Sequence, residues 1–225
     1  MSRPVIVLRS EPGCSETLRA ARSNGLDAVA GPLFVIEPEA WDIPHASGFD
    51  GILAGSANVF RFGGANLREL QHLPVHAVGE RTAQAAQLAG FRIASVGGGG
   101  LQRVLSAISA PARLLRLAGQ KRVPLHPGPG VSILERVVYR SVPRPLSPEV
   151  VALLSVGAVV LLHSSEAARA FEFESRRIGI DRTKVGIAAL ADPIVQAAGN
   201  GWHSVRVAAQ VTDRALLALA EDMCQ

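Results

Sequence analysis

Aromatic side chains are scarce, making up 4% of the 225 residues, with a single tyrosine among them. The core must therefore be filled by Ala, Val, Leu and Ile, which suits a parallel sheet covered by helices better than a barrel or sandwich. Cysteine is nearly absent. Cys14 and Cys224 stand at opposite ends of the chain, in no CxxC pattern and with no metal-ligand partner spacing. That excludes a disulfide framework and reads as two reduced thiols of a cytoplasmic protein. Long hydrophobic runs are also missing. The longest, 150–162, is shorter than a bilayer span and contains Ser155 and Gly157, so it reads as a helix end followed by a buried strand. The opening residues lack the pattern of a secretory leader, so no membrane partner is expected.

Positive charge is in slight excess, with 23 basic and 19 acidic residues and a pI near 9.8. The basic residues are scattered rather than gathered on one element, which argues against a nucleic-acid partner. A small polyanion held in a cleft asks for less. With 48% hydrophobic residues, the chain can bury one large core or two small ones.

What the sequence does have is alternation of strand and helix. Strands are expected at Gly51–Ala54, Val75–Val78 and Arg92–Val96, with helices from Ser56 to about Phe62, over Arg81–Ala89 and over Leu101–Ile108. The last third repeats this order. Strands at Ala158–Leu162, Val185–Ala189 and Ser204–Val207 lead into helices Ser165–Phe173, Pro193–Ala198 and Thr212–Glu221. TAQAAQLAGF (82–91) and PIVQAAGNGW (193–202) match as a small-residue helix, a glycine stop and an aromatic, which indicates two copies of one architecture. Each copy lacks its first strand. Val5–Leu8, with helix Ser15–Ser23, supplies one; Leu114–Leu117 supplies the other, followed by a polar loop with little room for a helix.

Two proline-bounded extended segments, 32–38 and 131–143, then read as crossings between domains. The expected fold is α/β, with two similar lobes, each a doubly wound parallel sheet of flavodoxin-like kind, joined by a two-stranded β-ladder with a cleft between. Domain 1 would comprise 1–35 and 144–225, and domain 2 would comprise 39–135. Two sequential domains split near residue 110 are the alternative, which leaves the extended crossings without a role.

Ligands of open α/β sheets gather at the carboxyl ends of the strands, where helix N-termini offer unpaired N–H groups to anions. Ser56, Ala57 and Asn58, Gly79 and Thr82, Ser164 and Ser165, and the segment 191–193 all fall at such places. Each alone is equally an ordinary helix cap; together they point to a shared polyanion site. Other patterns fail. The glycine run 97–100 lacks the P-loop Lys-Ser/Thr and the dinucleotide spacing. His72 and His76 flank Pro74, which forbids a helix that would pair them, and His45, His126 and His203 have no second histidine or cysteine at helical spacing. His163 beside Ser164 suggests a base and nucleophile, but adjacent strand side chains point to opposite faces, and no G-x-S-x-G elbow occurs. Tyr139, in the second crossing, can donate a proton from its neutral form and so assist loss of a hydroxyl; packing the hinge is its other reading.

With these residues in view, the sequence resembles the uroporphyrinogen-III synthase family. The resemblance is carried by VLRSEPG (7–13), ILAGSANVFRF (52–62), VHAVGERTAQAAQLAGF (75–91), LLRLAG (114–119), ERVVYRSVP (135–143), VVLLHSSEAARAF (159–171) and GWHSVRVAAQVTDRALLAL (201–219). It implies a monomer that cyclises the polycarboxylate hydroxymethylbilane with inversion of ring D and loss of water, without cofactor or metal, in tetrapyrrole biosynthesis. Position by position, it implies that Tyr139 assists loss of the hydroxyl. Arg9, Ser56, Ala57, Asn58, Gly79, Thr82 and Ser164 would then lie against the substrate. The chain departs from the family at Ala191, where many relatives carry Gly, Ser or Thr. A non-catalytic binding or regulatory domain for a polycarboxylate is the alternative function.

Overall fold

The computed structural model describes residues 3–44 and 48–224, so His45 lies outside the described residues. It is a mixed α/β structure with parallel sheets and divides into two compact units, Met1–Val35 with Val142–Gln225, and Ile36–Ser141. No helix among the described residues is long and apolar enough to cross a membrane.

The first unit is built on strands β1 (Val5–Val7) and β2 (Ala28–Ala30), with helix α1 (Gly13–Ser23) between them. Strand β3 (Phe34–Pro38) then carries the chain into the second unit. That unit contains β4 (Gly51–Ala54), α2 (Asn58–Phe62), a 3-10 turn (Ala65–Leu70), β5 (Val75–Val78), α3 (Glu80–Leu88), β6 (Ile93–Gly97), α4 (Leu101–Ser106), β7 (Ala112–Gly119) and β8 (Val131–Pro143). After β8 the first unit resumes with α5 (Pro148–Val156), β9 (Val159–Leu162), α6 (Ser165–Arg177), β10 (Gly186–Ala189), α7 (Asp192–Ala198), β11 (Ser204–Val207) and α8 (Asp213–Cys224).

The first sheet has the order β11-β10-β9-β1-β2, and every pairing in it is parallel. Its inner strands VIV, VVLL and GIAA are buried along their whole length, as continuous apolar runs covered on both faces must be. Alternation sorts them. Ile6, Val160, Leu162, Ile187 and Ala189 pack with α5, α6 and α7, whereas Val5, Val7, Val159, Leu161 and Ala188 pack with α1 and α8.

The second sheet has the order β3-β8-β7-β4-β5-β6, with β4 paired in parallel to β5 and β7, and β7 to β8. Setting β7 and β8 in the places of β1 and β2, and β4, β5 and β6 in those of β9, β10 and β11, gives the same strand order in both units. The chain simply reaches the first two strands of the second unit last. Ile52, Ala54, Leu115 and Leu117 share one core with α2 and α3; Leu53 and Leu114 face α4. The helix corresponding to α1 is absent from the described residues, and an irregular segment, 120–130, runs in its place.

The matched helices end alike. Gly90 and Gly199 take φ of +87° and +73°, a left-handed conformation that strains any residue with a Cβ. Each turn then delivers a buried aromatic onto a phenylalanine of the preceding helix, Phe91 edge-on to Phe60 and Trp202 stacked on Phe171. Boundaries differ from the sequence expectations where local contacts decide them. Helix α2 starts at Asn58 rather than Ser56, because Ser56 is held outside it, its Oγ accepting from the Asn58 N–H at 3.2 Å. Helix α4 ends at Ser106 and α6 runs on to Arg177, its last turn tied by an Arg177–Glu174 pair at 2.8 Å. Strand β2 is unanticipated by the sequence, since a strand of three residues gives no readable alternation.

Candidate functional site

In both sheets the connections reverse direction between two neighbouring strands, β1 and β9 in the first unit and β7 and β4 in the second. Such switch points are where open α/β sheets form ligand crevices. The two differ in what fills them.

In the second unit a cavity of about 430 Å³ opens there. Its walls come from the ends of β4 (Gly55, Ser56) and β7 (Arg116 to Gly119), from the start of α4, from the segment 121–125 and from Tyr139 on β8. Small residues make the room: Gly55 follows β4 and Ala118 and Gly119 end β7. Gly119 also seats the tyrosine. A bulge between Ala118 and Gly119 brings Gly119 opposite Tyr139, and a Cβ on Gly119 would lie 2.5 Å from Cζ of the ring. The Gln120 N–H donates to the Tyr139 carbonyl at 2.9 Å, continuing the pairing of β7 with β8 past the bulge. Among the described residues nothing hydrogen-bonds the Tyr139 hydroxyl, which leaves it available to a ligand.

Arg116 is 4% exposed, and a guanidinium so buried requires a counter-ion. Glu135 of β8 provides it, accepting from Arg116 Nη1 and from Arg122 Nε, the latter at 2.9 Å. Burial opposes ionisation of Glu135, and hydrogen bonds from Arg122 and Arg116 overcome it, holding the carboxyl below its ordinary value.

The first unit places charged side chains of its own at the same point. Matching the register Ile6–Val160 to Leu115–Ile52 sets Arg9 where the second unit has Ala118, and His163 where it has Gly55. Arg9 Nη1 donates to both oxygens of Asp213 at 3.1 Å and to Thr17 Oγ1 at 3.2 Å, and Thr17 donates to Asp213 at 2.7 Å. His163 Nε2 lies 3.0 Å from Asp213 Oδ1 but off the line of a ring N–H bond, and Nδ1 has no partner among the described residues. Its side chain is 7% exposed. Burial, then the positive charge of Arg9, pushes the imidazole down to about 4 against the pull of Asp213, so it is neutral at pH 7. Burial pushes the Cys14 thiol up to about 11, with Glu11 adding to it, which leaves it unreactive.

The sequence-predicted residues are distributed between these places. Tyr139 and Ser56 line the cavity. Ala57 and Asn58 open α2 beside it, and Gly79 caps α3, whose first turn buries Thr82. Arg9 is engaged by Asp213. Ser164 caps α6, accepting from the Ala167 N–H at 3.1 Å, and Ser165 donates to the Pro193 carbonyl at 3.1 Å. Ala191 caps α7 through its backbone alone.

The comparison that decides the family is a match of the model for "Uroporphyrinogen-III synthase HemD" to residues 15–218. The chain belongs to the uroporphyrinogen-III synthase family. Its fold is similar to that of the uroporphyrinogen-III synthetase from Helicobacter pylori, with a TM-score of 0.66 and 16% identity over 98% of this chain and 99% of that one. A mutant uroporphyrinogen III synthase from the extremely thermophilic bacterium Thermus thermophilus aligns with a TM-score of 0.50 and 15% identity over 98% of each chain. At these identities the likeness speaks to the fold alone. No curated protein sequence matches.

Against this family background, sequence reasoning passed over Arg116, Glu135 and Arg122 in one unit and the pairing of His163 with Asp213 in the other. Arg116 left a signal, a lone charge inside the apolar LLRLAG. Asp213 left none, standing 204 positions from Arg9.

Proposed function

We propose that this protein is a uroporphyrinogen-III synthase that converts hydroxymethylbilane to uroporphyrinogen III with loss of water, and that Tyr139 is its general acid. The observation that carries the reading is the convergence of family membership with the only tyrosine of the sequence, set on the wall of a cavity at a sheet switch point. The phenol gives its proton to the hydroxyl leaving ring A, the pyrrole nitrogen lone pair expels it as water, and return of the N–H proton to the phenolate leaves the azafulvene. The substituted carbon of ring D attacks that centre, and the spiro intermediate opens and recloses with ring D inverted. The linear substrate also closes unaided to the other isomer. The enzyme's task is therefore mostly positional, holding a flexible polycarboxylate so that the disfavoured carbon reacts. Strand ends rich in glycine and serine suit that task, because they let carboxylates approach backbone N–H groups.

The reading includes the two-lobed, flavodoxin-like architecture and a monomer acting in the cytoplasm. What supports the architecture is the shared strand order of the two sheets. Substrate contacts at Arg9, Ser56, Ala57, Asn58, Gly79, Thr82, Ser164 and Ser165 belong to the same proposal. The test is to supply freshly made hydroxymethylbilane and separate the oxidised products by isomer. Type III product formed faster than spontaneous closure is expected; type I alone, at the uncatalysed rate, would sink the reading.

A further inference from the structure

Strand β7 would be wholly apolar between Leu114 and Ala118 but for Arg116. Its counterpart in β1, by register and by face, is Val7, which lies buried beneath α1. The second unit has no helix there among the described residues, and Arg116 occupies that side of its sheet together with the segment 120–125. A buried guanidinium is held by its partners, and here they are few. Arg116 Nη1 donates to Glu135, Nη2 donates to the Val123 carbonyl at 2.8 Å, and Nε is buried with no partner among the described residues. The single Glu135 carboxylate is shared with Arg122, whose Nη1 donates to the Gln120 carbonyl at 3.0 Å. Two guanidinium charges thus divide one carboxylate. The cavity they line also takes Lys121 into its wall, and none of its described lining residues is acidic.

We infer that Arg116 and Arg122, yoked by Glu135, form a carboxylate-recognition subsite in this cavity, and that Arg122 is a specificity residue that selects ligands by their number of carboxylates. The inference rests on the synthase reading for the identity of the anion, a pyrrole ring carrying an acetate and a propionate. The surroundings fit that ligand better than a bare inorganic anion. Leu101, Leu117, Val123 and Leu125 give apolar walls for a ring, and a guanidinium fork meets a carboxylate edge with two parallel bonds. Glu135 acts as a positioning residue: it fixes the two forks without contacting the ligand.

The experiment compares wild type with Arg122→Gln in fluorescence titrations of two probes. Uroporphyrin I is an octacarboxylate; coproporphyrin I is a tetracarboxylate that has methyl groups in place of the acetates. Hydroxymethylbilane kinetics with isomer analysis run alongside. Loss of one charge-assisted contact should weaken uroporphyrin I binding about tenfold, change coproporphyrin I binding less than about threefold, and raise KM far more than it lowers kcat. Arg122→Lys keeps the charge and loses the fork, so it should recover part of the affinity; it also carries the test if the glutamine variant does not fold. Unchanged preference between the probes in both variants, with type III product still formed, overturns the subsite and leaves the synthase reading intact. Type I product alone, with uroporphyrin binding still dependent on Arg122, overturns the synthase reading and leaves the subsite.

Discussion

The two switch points make the most instructive comparison in this molecule. They lie at the same place in sheets of the same order, yet one carries a cluster of charged side chains and the other a cavity. Where the first unit carries Arg9 and His163, the second carries Ala118 and Gly55. Arg9 is neutralised by Asp213, and His163 is a neutral, buried imidazole against the same carboxylate. The second unit has no covering helix there among the described residues, and has instead a cavity with two guanidiniums on one carboxylate and a tyrosine. The same scaffold thus yields a cluster gathered on Asp213 in one copy and a cavity lined by guanidiniums in the other. What differs is the covering helix and the size and charge of a few residues in and just past the strands.

The sharpest way to break this comparison is to remove the hydroxyl that only the second unit offers. Tyr139→Phe should lower turnover on the order of 10²–10³-fold, as loss of a general acid does, while uroporphyrin binding changes less than about twofold. A normal rate would take the chemistry away from this cavity. The next largest effect is expected in the first unit and on stability rather than rate. His163 has a folded pKa of about 4 against an ordinary 6.5. Between those values the unfolded chain binds a proton that the folded one refuses, so stability falls as pH is lowered through that window. The loss is on the order of 3 kcal/mol between about pH 7 and about pH 4. Urea melts across that range should show it, and His163→Asn should flatten it; a variant as acid-sensitive as wild type would show the charge change to lie elsewhere.

A third test moves the tyrosine without altering it. Gly119→Ala places a methyl against the Tyr139 ring and should reduce kcat about tenfold by misplacing the phenol, with melting little changed. An unaffected kcat would mean that the ring position is not critical. The smallest effects separate the two serines. Ser164 caps the 13-residue α6, so Ser164→Ala should cost about 1 kcal/mol. Ser56 holds one N–H of the five-residue α2, so Ser56→Ala should cost about half that or less. Thermal melts that reversed this order would show that Ser56 carries more of the fold than its one hydrogen bond suggests.

Much of the fold was legible because it depends on local pattern. Apolar runs such as VVLL between a glycine and a polar turn read as buried parallel strands where strand and helix alternate, and the matched TAQAAQLAGF and PIVQAAGNGW announce the repeated helix, glycine stop and aromatic plug. β2 escaped because AVA is too short to show a period. The site was legible only in part. Tyr139 and Ser56 stand out by rarity and by position at a strand end. Arg116 could have been caught, since a charge inside LLRLAG must be paired. The cluster of Arg9, Thr17, His163 and Asp213 could not, because its members are drawn from distant parts of the chain and share no spacing.

The sequence alone thus determined most of the strands and helices, since hydrophobic period and glycine stops act over a few residues. The tertiary structure decided what stands at each switch point. A cavity is set by the summed volume and charge of side chains brought together by strand pairing, and neither is written in any one segment. Arg9 was read as a substrate contact, and the fold pairs it with Asp213 from the far end of the chain. Arg116 was read as one more strand residue, and the fold gives it a cavity, half a carboxylate and a neighbouring guanidinium.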